Sequence, residues 1–113
     1  MMTLLLSIAT EWCQIDKRKF GIGNISKANG PQFKPHHSHR LGLEVDVRPL
    51  RVDGKELACK YLDPGYDRAA TTRLISLFVR HPLVNRVLFN DPTIPNVRRA
   101  PDHDNHFHVE LIR

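Results

Sequence analysis

From Leu43 to Arg48 apolar and polar residues alternate strictly, with Leu43, Val45 and Val47 on one face and Glu44, Asp46 and Arg48 on the other. A period of two marks a half-buried strand, so Asp46 is expected to point away from the apolar face. The same alternation returns late in the chain, where His106, His108 and Glu110 share one face and Phe107, Val109 and Leu111 the other. Elsewhere the period is helical. Leu4, Leu5, Ile8, Ala9, Trp12 and Ile15 recur at helical spacing, with Thr3 as cap and Lys17 to Lys19 favourably placed at the C-terminal end. Asp67 stands where a second helix would be capped, and Leu74, Ile75, Leu77 and Phe78 carry that helix to a stop at Pro82.

Weaker signals fill in the rest. Phe20, Ile22 and Ile25 suggest a short strand, and Arg86 to Phe89 another, whereas most of Gly21 to Pro35 and all of Asn90 to Asp104 read as loop. Asp53-Gly54 is a hairpin-turn signal, so Arg51 and Val52 are expected to turn back into a short ribbon over Glu56 to Cys59. The sum is an α+β fold with a small antiparallel sheet, two helices packed on it and long loops.

Composition narrows the class. A chain of 113 residues makes one domain, 1–113, and its 41% hydrophobic and 26% charged residues exclude disordered and collagenous classes. The longest apolar stretch, Leu4 to Ala9, is interrupted by Ser7 and falls far short of the roughly 20 residues of a membrane span. No basic residue precedes it and no small-x-small cleavage site follows before Glu11 and Trp12, so no signal peptide is expected; work outside the cytoplasm would need another delivery route. Cys13 and Cys59 lack a C-x-x-C pattern and read as free or buried thiols. A net charge of +5 suits an anionic partner such as nucleic acid, acidic lipid or cell-wall polymer. The basic residues are scattered without aromatic interleaving, which argues against a nucleic-acid reader.

Histidine carries the chemistry. Six of the 7 histidines fall in two windows, His36, His37 and His39, then His103, His106 and His108, while His81 stands alone before Pro82 and is assigned no role. His106 and His108 emerge on one face about 6.6 Å apart along a strand, so one metal ion can reach either. His39 lies where a loop enters the strand that carries Asp46. His, Asp and His from separate elements, with room for a water and no cysteine nearby, describe an open zinc site. Each signal alone has a plainer reading: a solvated loop, a polar strand face, or a surface pair of Asp46 with Arg48 or Arg40. Their compatible facing favours the metal.

These residues also carry a resemblance. The stretch Gly23 to Pro49, containing S-H-R-L-G-L-E-V-D, together with H-D-N-H-F-H-V-E-L from His103 to Leu111, resembles the penicillin-insensitive murein endopeptidase family. That family belongs to a larger group of zinc peptidases with lysostaphin-type enzymes, D-Ala-D-Ala peptidases and the hedgehog signalling domain. The resemblance implies that His39, Asp46 and His108 bind one Zn2+, that His106 is the catalytic base or transition-state stabiliser, and that His36 and His103 line the site. His37 has no role in that pattern. Two departures are Glu44, where the family commonly has aspartate, and a single Gly30 before His36 instead of a glycine pair.

The implied function is a zinc metallopeptidase that hydrolyses peptide cross-links of bacterial peptidoglycan, at a D-alanyl to meso-diaminopimelate bond or a neighbouring one. Zinc on two imidazoles and a carboxylate brings the pKa of its water toward about 7, and His106 beside it can take that proton. The alternatives are a D,D- or L,D-carboxypeptidase on stem peptides and a hedgehog-like recognition module without turnover. The site of action is the periplasm or cell wall, reached as a processed domain, a phage lysis enzyme or a delivered toxin. An inhibitor or immunity partner leaves no signature in the sequence.

Overall fold

A computed structural model of the chain describes residues 2–27 and 43–112. Among them are two helices and four strands: α1 (Met2–Cys13), β1 (Ile22–Lys27), β2 (Leu43–Val47), α2 (Arg68–Arg80), β3 (Val84–Leu88) and β4 (Phe107–Leu111). The strands form one antiparallel sheet in the order β1-β2-β4-β3, so the two alternating segments lie side by side at its centre. This is the α+β arrangement expected from the periodicities.

The core lies between the helices and one face of the sheet. Val45, Val47, Val87, Phe107 and Val109 are buried in one cluster with Leu4, Ile8 and Trp12 of α1 and with Leu74, Ile75, Leu77 and Phe78 of α2. Phe78 meets the Phe107 ring edge-on at 5.7 Å between centroids, and Phe89 meets it at 6.1 Å from another side. Strand alternation therefore sends the neighbouring polar side chains of β2 and β4 to the opposite face, which among the described residues carries no helix.

The start of α2 is capped as its sequence suggests. Asp67 Oδ1 accepts from the Ala70 N–H at 3.0 Å, while Arg18 donates from Nη1 to Asp67 Oδ2 at 2.7 Å and to the Arg51 carbonyl at 3.1 Å. Arg18 also pairs with Asp16, and its carbonyl accepts from the Trp12 indole N–H at 2.7 Å. One guanidinium thus fastens the segment after α1 to the entrance of α2. At the other end α2 stops at Arg80, with the His81 N–H donating back to the Phe78 carbonyl before Pro82.

Several expected boundaries shift. Helix α1 already includes Met2, so Thr3 is inside it and is not its cap. The helix ends at Cys13 because the Ile15 and Asp16 N–H groups both turn back to the Trp12 carbonyl, leaving Ile15 outside the helix and 47% exposed. Strand β3 begins at Val84, earlier than Arg86, and ends at Leu88. The turn at Asp53-Gly54 exists, with Gly54 at φ 77°, but Glu56 to Cys59 forms no strand. Arg51 instead bridges to Tyr66, and the guanidinium groups of Arg48 and Arg51 occupy the carbonyls of Glu56 and Ala58 that a ribbon would have used. Cys13 is exposed, Cys59 is buried, and both are free thiols. Among the described residues no helix is long and apolar enough to cross a membrane. The loop expected from 28 to 35 lies outside the described residues.

Candidate metal centre

The register of the central strand pair builds the centre. Asp46 stands opposite His108 and Glu44 opposite Glu110, while the next strand places Arg86 opposite Glu110. Because residues facing one another across a ladder have close Cβ atoms, the polar face gathers three carboxylates around one imidazole. Phe107 and Val109, on either side of His108 in β4, are buried beneath it and hold the strand against the core.

Both ring nitrogens of His108 are engaged. Nδ1 lies 2.8 Å from Asp46 Oδ1. Nε2 is in contact with Glu44 Oε1 and lies 3.5 Å from Glu110 Oε2. Glu110 is gripped in turn by Arg86, whose Nε and Nη2 donate to its two oxygens at 2.8 and 3.2 Å. Burial pushes the Glu44 carboxyl above the usual range, and the negative charges of Glu110 and Asp46 add to that rise against the opposing effect of His108.

Two further histidines complete the face. His106 Nε2 approaches Asp46 Oδ1 at 3.9 Å, and the His103 ring lies 4.9 Å from that of His106 and 5.5 Å from that of His108, between centroids. Each has its other nitrogen satisfied nearby: His103 Nδ1 donates to the Pro101 carbonyl at 2.6 Å and His106 Nδ1 to Asn105 Oδ1 at 2.9 Å. A neutral imidazole that donates from Nδ1 keeps its lone pair on Nε2. The loop that carries His103 is pinned by the Asn90 N–H, which donates to the His103 carbonyl at 3.1 Å, and by Asn90 Nδ2, which donates to Asp104 Oδ1 at 2.6 Å. Burial lowers the pKa of His106, with His103 and His108 adding to the effect and Asp46 opposing it.

A metal ion can be held here. Glu44, His108 and Glu110 offer three ligand atoms within 4.8 Å of one another, and Asp46 with His108 Nδ1 offers a second approach on the opposite side of the same ring. Imidazole and carboxylate donors without thiolate suit zinc or a similar borderline ion. The two approaches differ in that Glu110 already serves the Arg86 guanidinium, which leaves it a poorer cation ligand.

Of the residues singled out from the sequence, Asp46, His103, His106 and His108 come together on this face. His36, His37 and His39 lie outside the described residues. His81, to which no chemistry was assigned, caps the C-terminus of α2, and its Nδ1 accepts from the Leu83 N–H at 3.1 Å. Glu44 and Glu110 were placed on polar strand faces by alternation, but their contact with His108 was not anticipated; the signal was their shared facing. Nothing in the periodicity pointed to Arg86. The chain matches no protein-family model and no curated protein.

Proposed function

We propose that the protein is a zinc-dependent peptidoglycan endopeptidase that hydrolyses peptide cross-links in the bacterial periplasm or cell wall, at the D-alanyl to meso-diaminopimelate bond or a neighbouring bond of the stem peptide. The observation that carries this reading is the convergence of Asp46, His103, His106 and His108 on the polar face of the sheet. The motifs around Asp46 and His108 resemble those of the murein endopeptidases, and the +5 charge suits an anionic wall.

Asp46 and His108 would hold one zinc ion together with His39, whose place in the motif makes it the third ligand. When bound, zinc supplies Lewis-acid polarisation of the scissile carbonyl and acidifies the attacking water. His106 presents a lone pair on Nε2 beside Asp46, and its lowered pKa keeps it neutral at pH 7, so it can accept the proton of that water and pass it to the leaving amine. His103 packs against both rings and, with Nδ1 tied to Pro101, can offer Nε2 to the substrate or to the oxyanion that forms. His36 is assigned to the same wall by its position in the motif.

Mass spectrometry of purified cross-linked muropeptides, incubated with zinc-loaded protein beside chelator-treated and His106→Ala controls, tests this function. Monomer masses appearing in the untreated sample alone are the expected result. Trimming of monomeric stems without cleavage of dimers would replace the endopeptidase by a carboxypeptidase. Bound zinc with no product from either substrate would leave a recognition module.

A further inference from the structure

We infer that Asn90 is a positioning residue, which ties the loop carrying His103 to the end of β3 and so sets the His103 ring against His106 and His108. The placement is a matter of hydrogen bonding alone, whereas its effect on turnover rests on the function proposed above.

The other side chains of the polar face owe their direction to the sheet. Asp46 and His108 face one another in the β2–β4 ladder, and His106 immediately precedes β4. His103 lies outside the strands, in the connection from β3 to β4, yet its ring is 4.9 Å from that of His106 and 5.5 Å from that of His108. Ladder register cannot place it. The chain turns sharply just before it, with Asp102 in the left-handed region at φ 65°, a conformation that costs free energy and is kept only where surrounding contacts hold it.

Asn90 supplies such contacts from a fixed base. Phe89 before it is fully buried, with its ring against Phe107, Tyr61 and Tyr66. Asp91 after it is also fully buried and accepts from the Tyr66 hydroxyl at 2.6 Å, the Thr93 N–H at 2.9 Å and the Thr93 hydroxyl at 2.7 Å. From that base the Asn90 main-chain N–H donates to the His103 carbonyl at 3.1 Å, Nδ2 donates to Asp104 Oδ1 at 2.6 Å, and Oδ1 accepts from the Ala100 N–H at 2.8 Å. A main-chain N–H can only donate, so the Ala100 contact fixes which way the carboxamide points and aims Nδ2 at Asp104. The side chain thus grips the loop on both sides of His103. A hold of this kind matters to chemistry because a misplacement of about 1 Å can cost about 10²-fold in rate.

Proton NMR reads the placement through nuclear Overhauser effects between the His103 and His106 rings, with the Val45–Val109 pair of the ladder as the control for an intact sheet. The ring contact is expected in the parent and lost in Asn90→Ala, which removes both side-chain bonds. In Asn90→Asp an acceptor faces the acceptor of Asp104, and the contact should weaken; adding Asp104→Asn reverses donor and acceptor and should restore it. A ring contact that survives Asn90→Ala, or that stays lost in the double variant, would overturn the inference. Amide exchange in the parent decides the matter even if Asn90→Ala folds poorly: the Ala100 N–H should be protected, and exchange at the rate of an open loop would overturn the inference. Kinetics on cross-linked muropeptides distinguish positioning from mere stability. Asn90→Ala should lower kcat/KM by up to about 10²-fold and add nothing to the loss in His103→Ala, because residues that act through one another are not additive. A loss that adds in full would overturn the route through His103. A parent that cleaves no muropeptide would overturn the proposed function and leave the ring contact to decide the role of Asn90.

Discussion

Asp46 and His108 stand opposite one another on the two central strands, with Asp46 Oδ1 2.8 Å from His108 Nδ1. They are 62 residues apart in the chain, so the contact is a product of strand register. A slip of one residue in either strand would turn its polar row into the core and its valines to water. The burial of Val45 and Val109 beside them thus fixes the geometry of the centre as well as stabilising the fold.

Ligand and base are expected to separate under mutation. Asp46→Ala and His108→Ala should lose stoichiometric zinc, measured by elemental analysis after dialysis. His106→Ala should keep the metal and lose turnover by about 10²- to 10⁴-fold. A His106→Ala protein that purifies without zinc would make His106 a ligand.

Acid should strip the metal. Histidine ligands must be deprotonated to bind, so zinc is expected to leave as pH falls through about 6 to 5. Equilibrium dialysis across that range measures the loss, and zinc retained in full at about pH 4.5 would argue against imidazole ligation.

A separate acid sensitivity resides in the link between α1 and α2. The Arg18 hydrogen bond lowers the Asp16 pKa to about 2. Burial opposes ionisation of Asp67, but the Ala70 N–H and Arg18 outweigh it and its pKa is also lowered. Both folded values lie below the unfolded value of about 3.9. Their stabilisation is therefore complete above that value and lost as pH falls through the folded pKa values. Urea unfolding between neutral pH and about pH 2 should show a declining acid limb, flatter in Asp16→Asn. Asp67→Ala should lose about 1 kcal/mol at neutral pH through the missing cap.

Phe107 couples the core to the centre. It is fully buried between the rings of Phe78 and Phe89 and lies between His106 and His108 in sequence. Phe107→Ala is expected to cost about 3–5 kcal/mol in urea unfolding and to weaken zinc binding as well. A destabilised variant with unchanged zinc affinity would show that the face does not depend on the packing beneath it.

Much of this was legible in the residues because the signals were local. Alternation places Asp46 and His108 on polar faces, and Asp67 caps α2, since each depends on neighbours a few positions away. What escaped depends on sheet order. The approach of Glu44 and Glu110 to His108 needs β2 and β4 to be adjacent, and the grip of Arg86 on Glu110 needs β3 on the far side. The ribbon after Gly54 failed for a related reason, because two arginines took its carbonyls. Thr3 misled because the helix had begun one residue earlier.

The strand order also sets a schedule for synthesis. Strand β4 is translated after β1, β2 and β3, yet it lies between β2 and β3. A nascent chain that has not yet delivered β4 has two strand edges awaiting a partner that is still inside the ribosome, and open edges of this kind invite pairing with other chains. It also lacks His106 and His108, so the histidine and carboxylate cluster on the polar face cannot assemble until residue 108 has emerged. The candidate metal centre is completed in the same event that closes the sheet.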